Sequence, residues 1–518
     1  MLIIQCITAI LAILSTQIEG AKILGIFWTP GKSHHMAGSP LLMELARRGH
    51  DVHLISSFND KNVDIPTYKQ DLLTGIVGEF DIFMNSNISM IRHISEIWSL
   101  NKKLVARFWQ NKPIQELIKN RPKYDVVVVL AFFNDYTLSI GKLLDAPVIV
   151  FSAMGTNAIN SQFVANPNLP YESTKALNNY FGNLLDRFRI VTFNSLFHVI
   201  SKYIVHPIQE KASHEYLPEM PNMNELINNV SLVLVNSHFT LEPSRPYVPN
   251  MILIGGYYMQ NVKPLPPNLK HFLDSATEGA ILFSMGSALK IENSFRKDQK
   301  EAILKVFSKL APMKIVFKSE IDFPVVPKNV MISNWLPQND VLAHPNIKLF
   351  ISHCGRGGLT EAVTHGVPIL GIPFFADQNE NVDFASEAGF AIKLKPKDLT
   401  QETFDSTLKE LLSNPKYAAN VKKRSSILRE QPIKPMDNAI WWVEHIIEHK
   451  GGEHLRNTAM DLAWYQLYMV DIMLFCLVFS SICLCVFFFT SRWLLRKIYR
   501  SFCSSKLNKE AVHKKKTN

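Results

Sequence analysis

Cysteine is nearly missing from the body of this 518-residue chain. Of the six present, Cys6 lies in the first twenty residues and Cys476, Cys483, Cys485 and Cys503 lie toward the C-terminus, leaving Cys354 alone between them. That distribution excludes an internal disulfide in the body and any zinc site built on paired CxxC spacings. A broad basic surface is missing too. The formal charge is +10, but nine Lys/Arg against the single acid Glu510 fall between Ser491 and Asn518, a local net of +8 that leaves +2 for the rest. A nearly neutral body with a basic tail does not offer the face that binding along a nucleic-acid backbone requires, so no nucleic-acid partner is expected.

What the chain does have is apolar content, 47%, ample for two or three cored domains. Its two ends are distinct from the body. "MLIIQCITAILAILSTQIEG" has the apolar run of a secretory leader followed by small or polar residues, although no basic residue precedes the run; residues 1–20 are expected to be a signal peptide. "IMLFCLVFSSICLCVFFFT", Ile472–Thr490, carries no charge over 19 residues, about what crosses a hydrocarbon core of roughly 30 Å. With the basic tail 491–518 directly after it, the positive-inside rule predicts a single-pass type I protein, its body lumenal and its tail cytosolic. Lys515 and Lys516, fourth and third from the end, resemble a dilysine signal for retrieval to the endoplasmic reticulum. Asn87-Ile88-Ser89 and Asn229-Val230-Ser231 have the form of glycosylation acceptors.

Between the ends, apolar strand-like runs alternate with helical spacings. "AKILGIFW", "DVHLISS", "YDVVVVLA", "APVIVFS", "SLVLVNS" and "MILIGG" read as strands, with a helix over "GSPLLMELARRG" and another over "DYTLSIGKLLD". A Pro-rich connector follows, residues 257–268, and the pattern restarts with "GAILFSMGS", a helix over Arg296–Leu310, "KIVFKS", "VMISNWLP", "IKLFISH" and "PILGIPFFADQ". Such alternation predicts an α/β fold of two doubly wound, Rossmann-like domains, 21–256 and 269–455, facing across a cleft, with ligands at the carboxyl ends of the strands.

"ISHCGRGGLTEAVTHGVP", Ile351–Pro368, concentrates the chemistry. It reads as a strand, a turn over His353–Gly358, and a helix starting at Leu359 and ending at Gly366. Glycines at a strand-to-helix turn let amides close on an anion at the positive end of the helix, so the segment suits phosphate, although it matches neither GxGxxG nor GxxxxGK[ST]. A metal site on His353, Cys354 and His365 is disfavoured because the side chains should diverge and no ligand-spaced carboxylate completes the set. A nucleophilic Cys354 would need a partnered base; burial as a small core residue accounts for it more simply.

The longer stretch Asn334–Gln378, "NWLPQNDVLAHPNIKLFISHCGRGGLTEAVTHGVPILGIPFFADQ", resembles the signature of the UDP-glycosyltransferase family, with W-x-P-Q, H-x-G, E and D-Q elements in order. "SHH…LARRGH", "FSMGS", "KPLPPN" and "DLAWYQLYMVD" extend the likeness over most of the chain. The resemblance implies the two-domain glycosyltransferase B fold, with the acceptor in the N-terminal half and a UDP-sugar in the C-terminal half. It also implies roles. Trp335 would stack on uracil and Gln338 bond the base or ribose. Ser287, His353 and the amides of Gly355, Arg356, Gly357 and Gly358 would hold the diphosphate, Glu361 the ribose, and Asp377 and Gln378 the sugar. His34 aligns with the family's base, with His35 beside it. Where the family places an Asp partner this chain has Leu130, and Asp135 is the candidate substitute. Relatives carry Asn or Ser where Gly357 stands; Arg356 is expected either to reach the diphosphate or to point to solvent.

The expected activity is therefore an inverting, metal-independent and cofactor-independent transfer of a hexose, glucose, from a UDP-sugar to a lipophilic acceptor hydroxyl, as in detoxification. A glucuronic acid donor and a catalytically silent UDP-binding member are the alternatives, and self- or hetero-association is left open. Phe80, Trp98, Phe108, Phe163 and Phe181 are candidates for the acceptor pocket or for core.

Overall fold

The computed structural model describes residues 20–61, 63–77, 90–167, 184–259, 262–287, 289–375 and 377–516. The expected leader, the Asn87 acceptor, Phe80, Phe181 and the Trp98 side chain lie outside what is described.

Seven strands, β1 (Lys22–Phe27), β2 (Asp51–Ser56), β3 (Tyr68–Leu72), β4 (Val126–Leu130), β5 (Val148–Ser152), β6 (Val230–Val235) and β7 (Met251–Leu253), form one sheet. Its order is 3-2-1-4-5-6-7 and every pairing is parallel. Six more, β8 (Ala280–Ser284), β9 (Lys314–Lys318), β10 (Val330–Ser333), β11 (Ile347–Ser352), β12 (Ile369–Gly371) and β13 (Ala391–Lys393), form a second parallel sheet of order 10-9-8-11-12-13. The chemistry of the strands explains their places. Val126–Leu130 and Ala280–Ser284 are buried at every position, and both sit mid-sheet with helices over each face. The edge strand Tyr68–Leu72, YKQDL, is polar and has no buried residue. This is the doubly wound α/β pair that the alternating pattern predicts.

Two departures concern where the chain crosses between the halves. Tyr257, at the start of the expected linker, is 3% exposed, packs in the first core and donates its hydroxyl to the Ala37 carbonyl. The helix Pro435–Glu448 lies inside the expected second domain, 269–455, yet Ala439, Ile440, Val443 and Ile446 are buried with Ile23, Leu42, Val52 and Leu232 of the first core. Its apolar stripe at 439, 440, 443 and 446 has helical spacing, and the surface it covers is that of the first sheet. Arg48 to Asp437 and His50 Nε2 to Glu444 at 3.3 Å add polar contacts on the same seam.

The compact unit ends at Asn457, and a second, Thr458–Asn518, follows. Its main element is the helix Val470–Lys516. Within Val470–Ser504 the most apolar window has mean hydropathy 2.8, which makes it the one helix among the described residues that is long and apolar enough to cross a membrane. The helix outruns the expected 472–490 because neither Gly nor Pro interrupts the sequence before its end.

Candidate active site

The residues singled out in the sequence lie on the loops and first helical turns that follow the carboxyl ends of β1, β4, β8, β10, β11 and β12. In open parallel sheets this is the side where ligands bind.

After β11 the helix begins at Arg356 with Gly355 as its N-cap, three residues before the expected start at Leu359. Gly357 and Gly358 are thus first-turn residues, and the amides of residues 356–358 are among those with no partner within the helix. Cys354 turns the chain at φ 60°; its side chain is wholly buried in the second core, which pushes its thiol far up from the ordinary 9.0 and removes it as a nucleophile.

The His353 ring is held between two backbones. A Cβ on Gly286 would fall 2.6 Å from its Cε1, and one on Gly355 would fall 2.6 Å from its Nε2, so a side chain at either position would displace the ring. Burial drops the imidazole to about 4, against the opposing charge of Asp377, so the ring is neutral, and its enclosed Nδ1 has no hydrogen-bond partner. Ser287 follows Gly286 and is exposed. Lys318, the last residue of β9, donates from Nζ to the Gly286 carbonyl at 2.9 Å and to Glu320 Oε1 at 2.8 Å, bracing this loop.

Farther along the cleft, Gln338 Nε2 donates to Glu361 Oε2. Desolvation raises the Glu361 carboxyl to about 7 even with that bond opposing it. Trp335 is 49% exposed, a large apolar face open on the surface. The Lys32 ammonium, from the first half, sits 4.2 Å from its ring centroid. His365 turns away from His353 to bond Asn339 Oδ1 at 2.8 Å, and among the described residues no group of three or more His, Cys, Asp or Glu is arranged to hold a metal ion.

Asp377 accepts from Asn381 Nδ2 at 2.8 Å, and the same nitrogen donates to the Cys354 carbonyl at 2.9 Å. One amide therefore ties the carboxylate to the glycine turn. The Gln378 carboxamide oxygen is engaged by the amides of Phe374 and Phe375, at 2.8 and 3.2 Å, which fixes the side chain's orientation.

The two histidines after β1 differ sharply. His35 is buried and satisfied, with Nδ1 on Ser56 Oγ at 2.7 Å and Nε2 on Asp60 Oδ1 at 2.9 Å. His34 lies in the first turn of the helix Lys32–Arg47, edge-on to Phe132 at 4.9 Å, with an enclosed and unpartnered Nδ1. Burial lowers it from 6.5, and the charge of Asp377 across the cleft works against that shift.

Two expectations are corrected by this geometry. Asp135 is not hydrogen-bonded to His34: it is buried and pairs with His206 Nε2 at 3.0 Å, because its 3-10 turn faces the helix His206–His214. Arg356 neither aims at an anion beside the turn nor points to solvent. It is 9% exposed, and its Nη1 donates to the Leu241 carbonyl at 2.9 Å while Nη2 lies 3.5 Å from Glu242 Oε2. Phe108 and Phe163 are core, 0% and 1% exposed; Phe132 packs on His34 and in turn against the 43% exposed Phe133.

A sequence model of the family described as "UDP-glucoronosyl and UDP-glucosyl transferase" matches residues 22–509. The chain belongs to this family. The transferase is 31% identical over 520 residues to "UDP-glycosyltransferase UGT5" of Dactylopius coccus, with 94% of this chain and 96% of that one covered. To "UDP-glucuronosyltransferase 2B1" of Rattus norvegicus it is 27% identical over 487 residues, covering 88% and 90%. Its fold is shared with the crystal structure of "UDP-glucose: anthocyanidin 3-O-glucosyltransferase in complex with UDP", at a TM-score of 0.56 and 14% identity, over 83% of this chain and all of that one. The two sheets of the transferase are thus those of the glycosyltransferase B architecture.

Chemically, the site of this UDP-glycosyltransferase combines helix-start amides, the neutral His353 imidazole and the Asp377 carboxylate tied to the same turn with the neutral His34 imidazole of the first half. Sequence reasoning missed Lys318, Asn381, Phe132 and Lys32. Asn381 carried a usable signal, four residues after Asp377 on one helix; Lys318 carried a weaker one, a lysine closing an otherwise apolar strand.

Proposed function

We propose that this UDP-glycosyltransferase moves glucose from UDP-glucose to the hydroxyl of a small lipophilic acceptor, with inversion. In this reading the nucleobase takes the Trp335 face, Gln338 and Glu361 bond base and ribose, and the diphosphate meets Ser287, His353 and the amides of Gly355 to Gly358. Asp377 and Gln378 take the sugar hydroxyls, as a fixed acceptor and a fixed amide suit a polyol. His34 Nε2 removes the acceptor proton as the oxygen attacks the anomeric carbon in line, UDP leaves, and a β-glycoside forms. No step is assigned to a metal.

The observation that carries the reading is His34 at the mouth of β1, its ring against Phe132, its enclosed Nδ1 unpartnered and, among the described residues, no carboxylate hydrogen-bonded to it. The field of Asp377 favours the imidazolium that forms on proton uptake, so the sugar-side carboxylate does the electrostatic work expected of Asp135. Glucose is favoured over glucuronic acid because three cations around the glycine turn are already paired. Arg356 is taken by Glu242, Lys318 by Glu320 and Lys393 by Asp383 at 2.8 Å, which leaves none of these three for a second carboxylate. A lipophilic acceptor is supported by Phe132 on His34 and by the exposed Phe133. We further propose a lumenal body and a cytosolic tail, supported by the apolar C-terminal helix and the basic residues after it, and retention in the endoplasmic reticulum through Lys515 and Lys516.

The test is a screen of full-length protein in detergent with UDP-glucose, UDP-glucuronic acid and phenolic acceptors, the anomeric configuration of any product being read by NMR. A β-glucoside is expected. A glucuronide overturns the choice of sugar, and tight UDP binding without product points to a silent member, the reading favoured by the missing carboxylate on His34.

A further inference from the structure

The Arg356 guanidinium crosses from the glycine turn into a socket in the first half. Its floor is Gly155, where a Cβ would fall 2.1 Å from Arg356 Nη2 and 2.6 Å from Glu242 Oε2, so even an alanine there would exclude the side chain. Glu242 is 3% exposed and organised from other directions as well: it accepts from the Thr156 amide at 3.0 Å, from Thr156 Oγ1 at 2.7 Å and from the Tyr247 hydroxyl at 2.8 Å. A second arginine of the donor half holds the same segment. Arg424 donates to the Thr240 carbonyl at 3.2 Å while its guanidinium stacks over Phe384 and Phe390 of its own half.

We propose that Arg356 is a positioning residue: an interdomain clamp that fixes the glycine turn against the acceptor half and so sets the turn's distance from His34. Three features argue for it. The socket is preformed, by Gly155 and by the Thr156 and Tyr247 bonds to Glu242. The arginine is in the same turn whose amides are proposed to hold the donor diphosphate, so any tilt between the halves moves those amides directly. And a carboxylate buried this deeply is stable only with its countercharge, which makes separation of the pair costly. The clamp rests on the UDP-sugar reading for its consequence in catalysis, but its existence does not.

Deleting one partner alone strands a buried charge, so the neutral pair Arg356→Met/Glu242→Gln is made beside Arg356→Ala, with Gly155→Ala as a third route that expels the guanidinium without touching it. In the full-length chain, hydrogen exchange at residues 155–157 and 240–242 is expected to quicken in all three. Since the groups proposed to contact UDP lie in the second half, UDP Kd is expected to stay within about twofold. kcat should fall at least about tenfold through misplacement, with partial recovery of Arg356→Ala by added methylguanidinium. Unchanged exchange, or a tenfold loss of UDP affinity with kcat intact, overturns the clamp. If wild type transfers no sugar yet exchange still quickens in the variants, the clamp stands and the enzymatic reading falls.

Discussion

His34 and His35 are neighbours in sequence and opposite in environment. One ring has both nitrogens engaged by Ser56 and Asp60; the other has an enclosed nitrogen and no partner for it. His34→Ala is expected to lower kcat by about 10²–10⁴ with UDP affinity unchanged, whereas His35→Ala should lower melting temperature first. Because burial depresses His34 below 6.5 and only the neutral ring can take a proton, kcat/KM should fall only below that pH, as the ring becomes charged; an acid limb centred above pH 7 would contradict the assignment. Glu361 titrates the other way. Its folded value of about 7 lies above the ordinary 4.5, so the folded state holds the extra proton and stability declines as pH rises from 4.5 to 7. Glu361→Gln should flatten that decline in thermal melts while weakening UDP binding. For Asp135→Asn, bonded to His206, kcat/KM is expected to stay within about threefold, under ~0.7 kcal/mol in the barrier, as the melting temperature drops. That Asp135 serves His206 could not be read from the chain, since 71 residues separate the two.

At the scale of elements, the sheets were legible because their strands announce themselves locally, as runs such as VVVVL and AILFS that have no polar face to turn outward. The glycine turn was legible in kind but not in register. Gly-Gly is a poor helix interior, at a cost of about 1 kcal/mol per residue relative to Ala, so the sequence places the helix start after it, yet in the first turn unpaired amides are the useful feature. The destination of the helix Pro435–Glu448 is not local information, because a stripe of Ala439, Ile440, Val443 and Ile446 says that something is covered without saying which sheet. Ile440→Ala should destabilise the protein by about 2–5 kcal/mol, measured by chemical denaturation, with exchange quickened in the first sheet rather than the second.

For the whole molecule, the family and the two-sheet architecture follow from the sequence pattern, while the relation between the halves is held by contacts that no local motif encodes: Arg356 on Glu242, Arg424 on Thr240, Lys32 on Trp335. The proposed topology is open to a direct check. Asn229 is exposed at the end of its helix, so a lumenal body should carry an endoglycosidase-sensitive glycan that Asn229→Gln removes. Covalent connectivity adds a constraint of its own. The chain leaves the first core after Tyr258, returns to it from Leu428 of the second by the helix Pro435–Glu448, and so joins the halves twice. A single tether would leave one half free to swivel; a chain that crosses twice restrains that rotation covalently, independently of any side-chain contact that bridges the halves.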